Sequence, residues 1–122
     1  MNEPKPFDPG AIERLLKLGG PKFTLEMMDL FGSYGGKKIT EARSAQQAGQ
    51  LPALAEAAHP LKSSAGNVGA VRVQELAAQV ELFAREQKAE MAGARLNELE
   101  SAFAEAKLFL EAERTRLAPP PA

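Results

Sequence analysis

The chain has 122 residues, 15 basic and 16 acidic, for a net charge of −1, with one histidine and no cysteine. This length fits one domain that buries roughly two-thirds of its unfolded surface on folding. The absence of cysteine excludes disulfides and thiolate metal sites, one histidine argues against a conventional zinc centre, and the charge balance gives no reason to expect a nucleic-acid partner.

Alanine, leucine and glutamate dominate and β-branched runs are absent, which argues for helices. MNEPKP at the start and APPPA at the end have little to bury, so residues 1–7 and 118–122 read as flexible ends around a domain spanning 8–117. Asp8-Pro9 is an N-cap followed by proline at the first helical position. Ile12, Leu15 and Leu16 form one apolar face of this short first helix, and Gly19-Gly20 stop it. Pro21 opens a second helix, with Phe23, Met27, Leu30, Phe31 and Tyr34 at helical spacing. Gly35-Gly36 weaken it by about 1 kcal/mol each relative to alanine, a place for a bend. The stripe resumes at Ile39 and Ala42, and Ala48-Gly49-Gln50 is the next break.

Pro52 sets the third helix, whose Leu54, Ala58, Leu61, Ala65 and Val68 form a buried seam. Gly66, Asn67 and Gly69 mark its end and a tight turn. The fourth helix carries Val73, Leu76, Ala77, Val80, Phe83 and Ala84. After a polar turn over Gln87–Glu90, the fifth carries Leu96, Leu99, Phe103, Ala106, Leu110 and Leu117. The pattern predicts an all-α fold, an antiparallel up-and-down four-helix bundle with an additional short N-terminal helix. No signal peptide is legible and no run approaches the ~20 apolar residues that span a bilayer, so a soluble, cytoplasmic protein without membrane contact is expected. A bundle of this size closes its own core, so a monomer is expected. The initiating methionine and loose ends favour a freestanding chain.

The single histidine opens the stretch HPLKSSAGNVGA, residues 59–70. On a helical wheel centred on the Leu54–Val68 seam, His59 lies roughly 140° away, Lys62 near 80°, Gly66 near 120° and Ser63 near 180°. The imidazole is therefore exposed, with an ammonium beside it and a floor of small residues that a protein can approach closely. Taken singly, the histidine reads as an ordinary surface residue, Lys62 as a solvated lysine and the small residues as unremarkable. Together they gain nothing in core packing.

His59-x-Leu61-Lys62-Ser63-Ser64-x-Gly66-Asn67-Val68-Gly69-Ala70 resembles the signature of histidine-containing phosphotransfer (HPt) domains. The resemblance continues through Val73, Leu76, Ala77, Val80, Glu81 and Arg85, and upstream through Gly19, Gly20, Phe23 and Phe31. It implies a phosphoryl carrier, not a stand-alone catalyst: the histidine takes a phosphoryl group from a receiver-domain aspartyl phosphate and passes it to another receiver. Response-regulator receiver domains and a hybrid sensor histidine kinase are the implied partners. The implied metal, magnesium, belongs to the receiver, so this chain needs no cofactor. The resemblance also places Glu81 near the imidazole, where a carboxylate bonds the ring N–H and leaves the other nitrogen as nucleophile. Lys62 stabilises the phosphoryl oxygens by charge, and Ser63 and Gly66 leave room for the receiver. Arg85 contacts phosphate or partner, or simply makes an i,i+4 pair with Glu81. The docking face takes in apolar residues of the first helices such as Ile12 and Leu15.

Two positions depart from the pattern. Ser63 stands where glycine is usual, and Pro60 falls inside the third helix. Proline there removes one N–H bond and clashes with the Glu56 carbonyl, predicting either a kink or a helix that restarts at Pro60. Pro60 also motivates a second reading, a helical-bundle adaptor that binds receivers without carrying phosphate. A hydrolytic or metal enzyme fits poorly: there is no nucleophile elbow, and Gly66–Gly69 follows a helix instead of opening one after a strand.

Overall fold

The computed structural model describes residues 6–117, which form four helices and no strand: α1 (Pro9–Gln47), α2 (Leu51–Val68), α3 (Val71–Arg85) and α4 (Ala89–Leu117). The expected short N-terminal helix is the first arm of α1. Asp8 caps it with an extended backbone, and its Oδ1 accepts a hydrogen bond from the Gly10 amide at 2.9 Å. The arm breaks at Gly20, whose φ of 83° suits a residue without Cβ, and Pro21 starts the second arm. Thr24 donates its hydroxyl hydrogen to the Gly20 carbonyl at 2.9 Å, satisfying an acceptor freed by the break. Gly19 serves packing instead: a Cβ there would lie 2.4 Å from the Phe23 ring.

Through Gly35 and Gly36 the second arm keeps helical backbone angles. Gly35 is buried against α4, where a Cβ would lie 2.7 Å from the Phe103 ring. It is a contact point between helices. α2 likewise runs through Pro60 with helical backbone, so it does not restart there, and His59 is an interior helical residue. It ends at Gly69 with φ 78°; the Ala70 amide bonds back to the Ala65 carbonyl at 2.9 Å. The Gly69 carbonyl accepts the Asp8 amide at 2.8 Å, tying the end of α2 to the start of α1.

Connections of three, two and three residues join the helices. Links this short make each helix antiparallel to the next. Each helix packs on its successor, and α4 closes the ring against α1. The predicted seam lies at the centre: Leu54, Ala58, Leu61, Ala65 and Val68 are each at most 1% exposed, against Phe31, Val73, Val80, Leu96 and Leu99. The turn into α4 comes at Glu86–Lys88, slightly earlier than expected. Of the predicted flexible ends, residues 1–5 and 118–122 lie outside the described residues. Pro6 and Phe7 belong with the bundle: the Pro6 carbonyl accepts the Arg72 amide at 3.2 Å, and Phe7 stacks on Phe109 with ring centroids 4.2 Å apart.

Candidate functional site

α2 turns its apolar seam inward and so turns His59 outward, with the side chain 61% exposed. α3 runs beside it and carries Glu81 to the imidazole: Nδ1 of His59 lies 2.7 Å from Oε2 of Glu81. Glu81 is one of two buried polar residues among those described, at 7% exposure. It serves three partners. The Lys62 ammonium is 2.5 Å from Oε1, and Arg85 donates from Nη2 and Nε to Oε2 at 2.8 and 3.1 Å. Burial pushes the Glu81 carboxyl pKa up. Hydrogen bonds from Lys62, Arg85 and His59 outweigh that push and hold it at about 2. The carboxylate is therefore ionised at neutral pH, and its burial is compensated on both oxygens.

A carboxylate accepts hydrogen bonds and has none to donate. Its position against Nδ1 places the ring proton there and leaves Nε2 with its lone pair. The ring points into solvent with one nitrogen pinned against Glu81.

α2 and α3 bring four of the six predicted site residues, His59, Lys62, Glu81 and Arg85, together, while Ser63 and Gly66 lie apart from that cluster. The Lys62 ammonium, which the wheel places beside the ring, rests on Glu81. Arg85 makes the i,i+4 pair with Glu81. Ser63 is exposed and borders an open groove of about 430 Å³ between the second arm of α1 and α2. Gly66, half-buried, lies under Gln74 of α3: a Cβ at 66 would be 3.0 Å from the Gln74 amide nitrogen. Ile12 and Leu15, expected on the docking face, are 1% and 7% exposed and belong to the core. The wheel gives the first helix one apolar face, and the bundle buries it. Two of the exposed apolar residues, Leu30 and Tyr34, line the groove with Met27, Pro60 and Asn67. Sequence reasoning missed Gln74 and the groove. The two-residue link between α2 and α3 carried the signal for Gln74, since it fixes the antiparallel register. Among the described residues no group of three or more acidic, histidine or cysteine side chains gathers as a metal site, and no helix is long and apolar enough to cross a membrane.

A search of curated proteins gives no match. The fold is similar to the crystal structure of histidine-containing phosphotransfer protein B (HptB) from Pseudomonas aeruginosa PAO1. The TM-score is 0.86 at 24% identity, over 93% of this chain and 98% of that one. The sequence family described as the Hpt domain matches residues 26–109, a span that holds His59, Lys62, Gly66, Glu81 and Arg85. The chain belongs to the Hpt domain family.

Proposed function

We propose that this chain is a cytoplasmic phosphoryl carrier in a two-component phosphorelay, loaded on Nε2 of His59 by a receiver-domain aspartyl phosphate and unloaded to another receiver. The observation that carries the reading is the buried Glu81 carboxylate against Nδ1 of an exposed imidazole. Nε2 attacks phosphorus; the N–P bond forms as the P–O bond to the aspartyl carboxylate breaks, and that carboxylate leaves with the electron pair. No proton need move. The ring keeps its Nδ1–H and becomes cationic, and the Glu81 charge faces it. The reverse sequence delivers the group to the next receiver. Lys62, held at the site by Glu81, is within reach of the incoming phosphoryl oxygens as a mobile ammonium. The magnesium that this chemistry uses sits with the receiver's own acidic residues.

The receiver docks over His59 and the groove lined by Met27, Leu30, Tyr34 and Ser63, where apolar area lies beside the ring. The adaptor reading rested on Pro60. α2 is helical through Pro60, so that feature gives it no support. The test is incubation with a receiver phosphorylated with labelled phosphate. Label moves to the wild-type chain and not to His59→Gln. Absence of transfer to wild type, or equal labelling of the variant, overturns the proposal.

A further inference from the structure

Gly66 sits inside a helix without needing to be glycine for its backbone. The described glycines with positive φ are Gly20, Gly49 and Gly69. An interior helical glycine costs stability relative to alanine, so its side of the contact calls for a reason. The neighbour is the Gln74 amide, whose Nε2, Cδ and Oε1 all lie within 3.6 Å of where a Cβ would be. Gln74 itself is exposed.

The register explains the pairing. His59 faces Glu81 across the α2–α3 seam. Moving seven residues up α2 reaches Gly66, and seven down α3 reaches Gln74, so the two pairs are rungs of one antiparallel ladder. Seven residues turn a helix by close to two full turns, so both rungs share a face, about 10 Å apart. At that distance Gln74 does not reach a phosphoryl group on the ring. It reaches whatever protein covers the ring.

We infer that Gln74 is a receiver-recognition residue and Gly66 its positioning residue: the bare Cα is a shelf that holds the Gln74 amide ready to hydrogen-bond the docked receiver. This rests on the receiver-docking reading above. A shelf lowers the entropy lost when a long side chain is fixed at an interface. A methyl at 66 meets the far end of a flexible side chain, so it displaces the amide and leaves the fold intact.

The test compares wild type, Gly66→Ala, Gln74→Ala and the double variant, using the phosphorylated receiver that loads wild-type His59. Gln74→Ala raises the KM for receiver by about threefold to tenfold, the worth of one neutral hydrogen bond, with kcat unchanged. Gly66→Ala raises KM similarly without lowering the melting temperature, and the double variant is no worse than Gln74→Ala. Labelling by phosphoramidate, a small donor that needs no docking, is equal in all four. A wild-type KM in Gln74→Ala overturns the inference alone. So does a further rise in KM when Gly66→Ala is added to Gln74→Ala, which would mean that the receiver itself occupies the space over the glycine. Reduced phosphoramidate labelling of Gln74→Ala also overturns it, by placing the residue's effect on the ring. Failure of any receiver to load wild type removes the phosphorelay reading, and this inference with it.

Discussion

Glu81 shows how one buried charge sets the chemistry of an exposed group. Its carboxyl pKa lies at about 2 in the fold, against an ordinary 4.5. The folded value is the lower one, so the ionised carboxylate stabilises the native state at pH values above 4.5. That contribution is lost as pH falls from 4.5 toward 2. It amounts to on the order of 3 kcal/mol, since each pKa unit is about 1.4 kcal/mol. Glu81→Gln should therefore lower the melting temperature at pH 7, and its deficit relative to wild type should shrink between pH 4.5 and 2. Parallel melts across that range check this. The amide accepts the Nδ1–H bond only with its oxygen and without charge, so phosphoryl transfer should slow on the order of tenfold without stopping. The spacing between His59 and Glu81 was legible only through family resemblance. That Glu81 also binds Lys62 and Arg85 was not, because a helical wheel gives each side chain a direction and no partner.

At the scale of elements, most of the helices were legible because their apolar residues recur at helical spacing and their ends carry strong signals. Asp8-Pro9, Gly20-Pro21, Gly49 and Gly69 all act as read. What periodicity cannot show is which glycines serve a neighbour. Gly35 looks like a weak point in its helix, yet its missing side chain is filled by the Phe103 ring from another helix. Gly35→Ala gains about 1 kcal/mol of helix propensity, but overpacking costs about 1–3 kcal/mol. A net loss of stability is expected, and Phe103→Leu in the same chain should recover part of it. Denaturant midpoints of the two single variants and the double variant measure the coupling. Pro60 is the reverse case: a residue that predicts interruption sits inside a continuous helix. The packing of α2 between α1 and α3, with its seam almost fully buried, holds the element together where local propensity does not.

Across the whole molecule the four helices share one core, running from Ile12 in the first arm of α1 to Leu110 in α4. The location of Ile12 and Leu15 was misread from sequence because an apolar face reads the same whether a bundle or a partner covers it. Continuity of the core predicts cooperative unfolding. Tyr34, the only tyrosine in a chain without tryptophan, reports on the α1–α2 groove, while far-UV ellipticity reports on every helix. The two transitions should coincide. A tyrosine signal that changes at lower denaturant than ellipticity would show the groove loosening on its own.

The convergence of two permanent cations on one carboxylate has an electrostatic consequence. With the imidazole neutral, Lys62, Arg85 and Glu81 leave the patch one positive charge in surplus. Acquiring PO3− without shedding a proton cancels that surplus. An empty carrier thus draws anionic surfaces toward its ring, and a loaded one has lost that pull. At physiological salt the difference is felt only within about 8 Å, so it bears on the last approach and first separation of the two proteins, when the cargo changes hands.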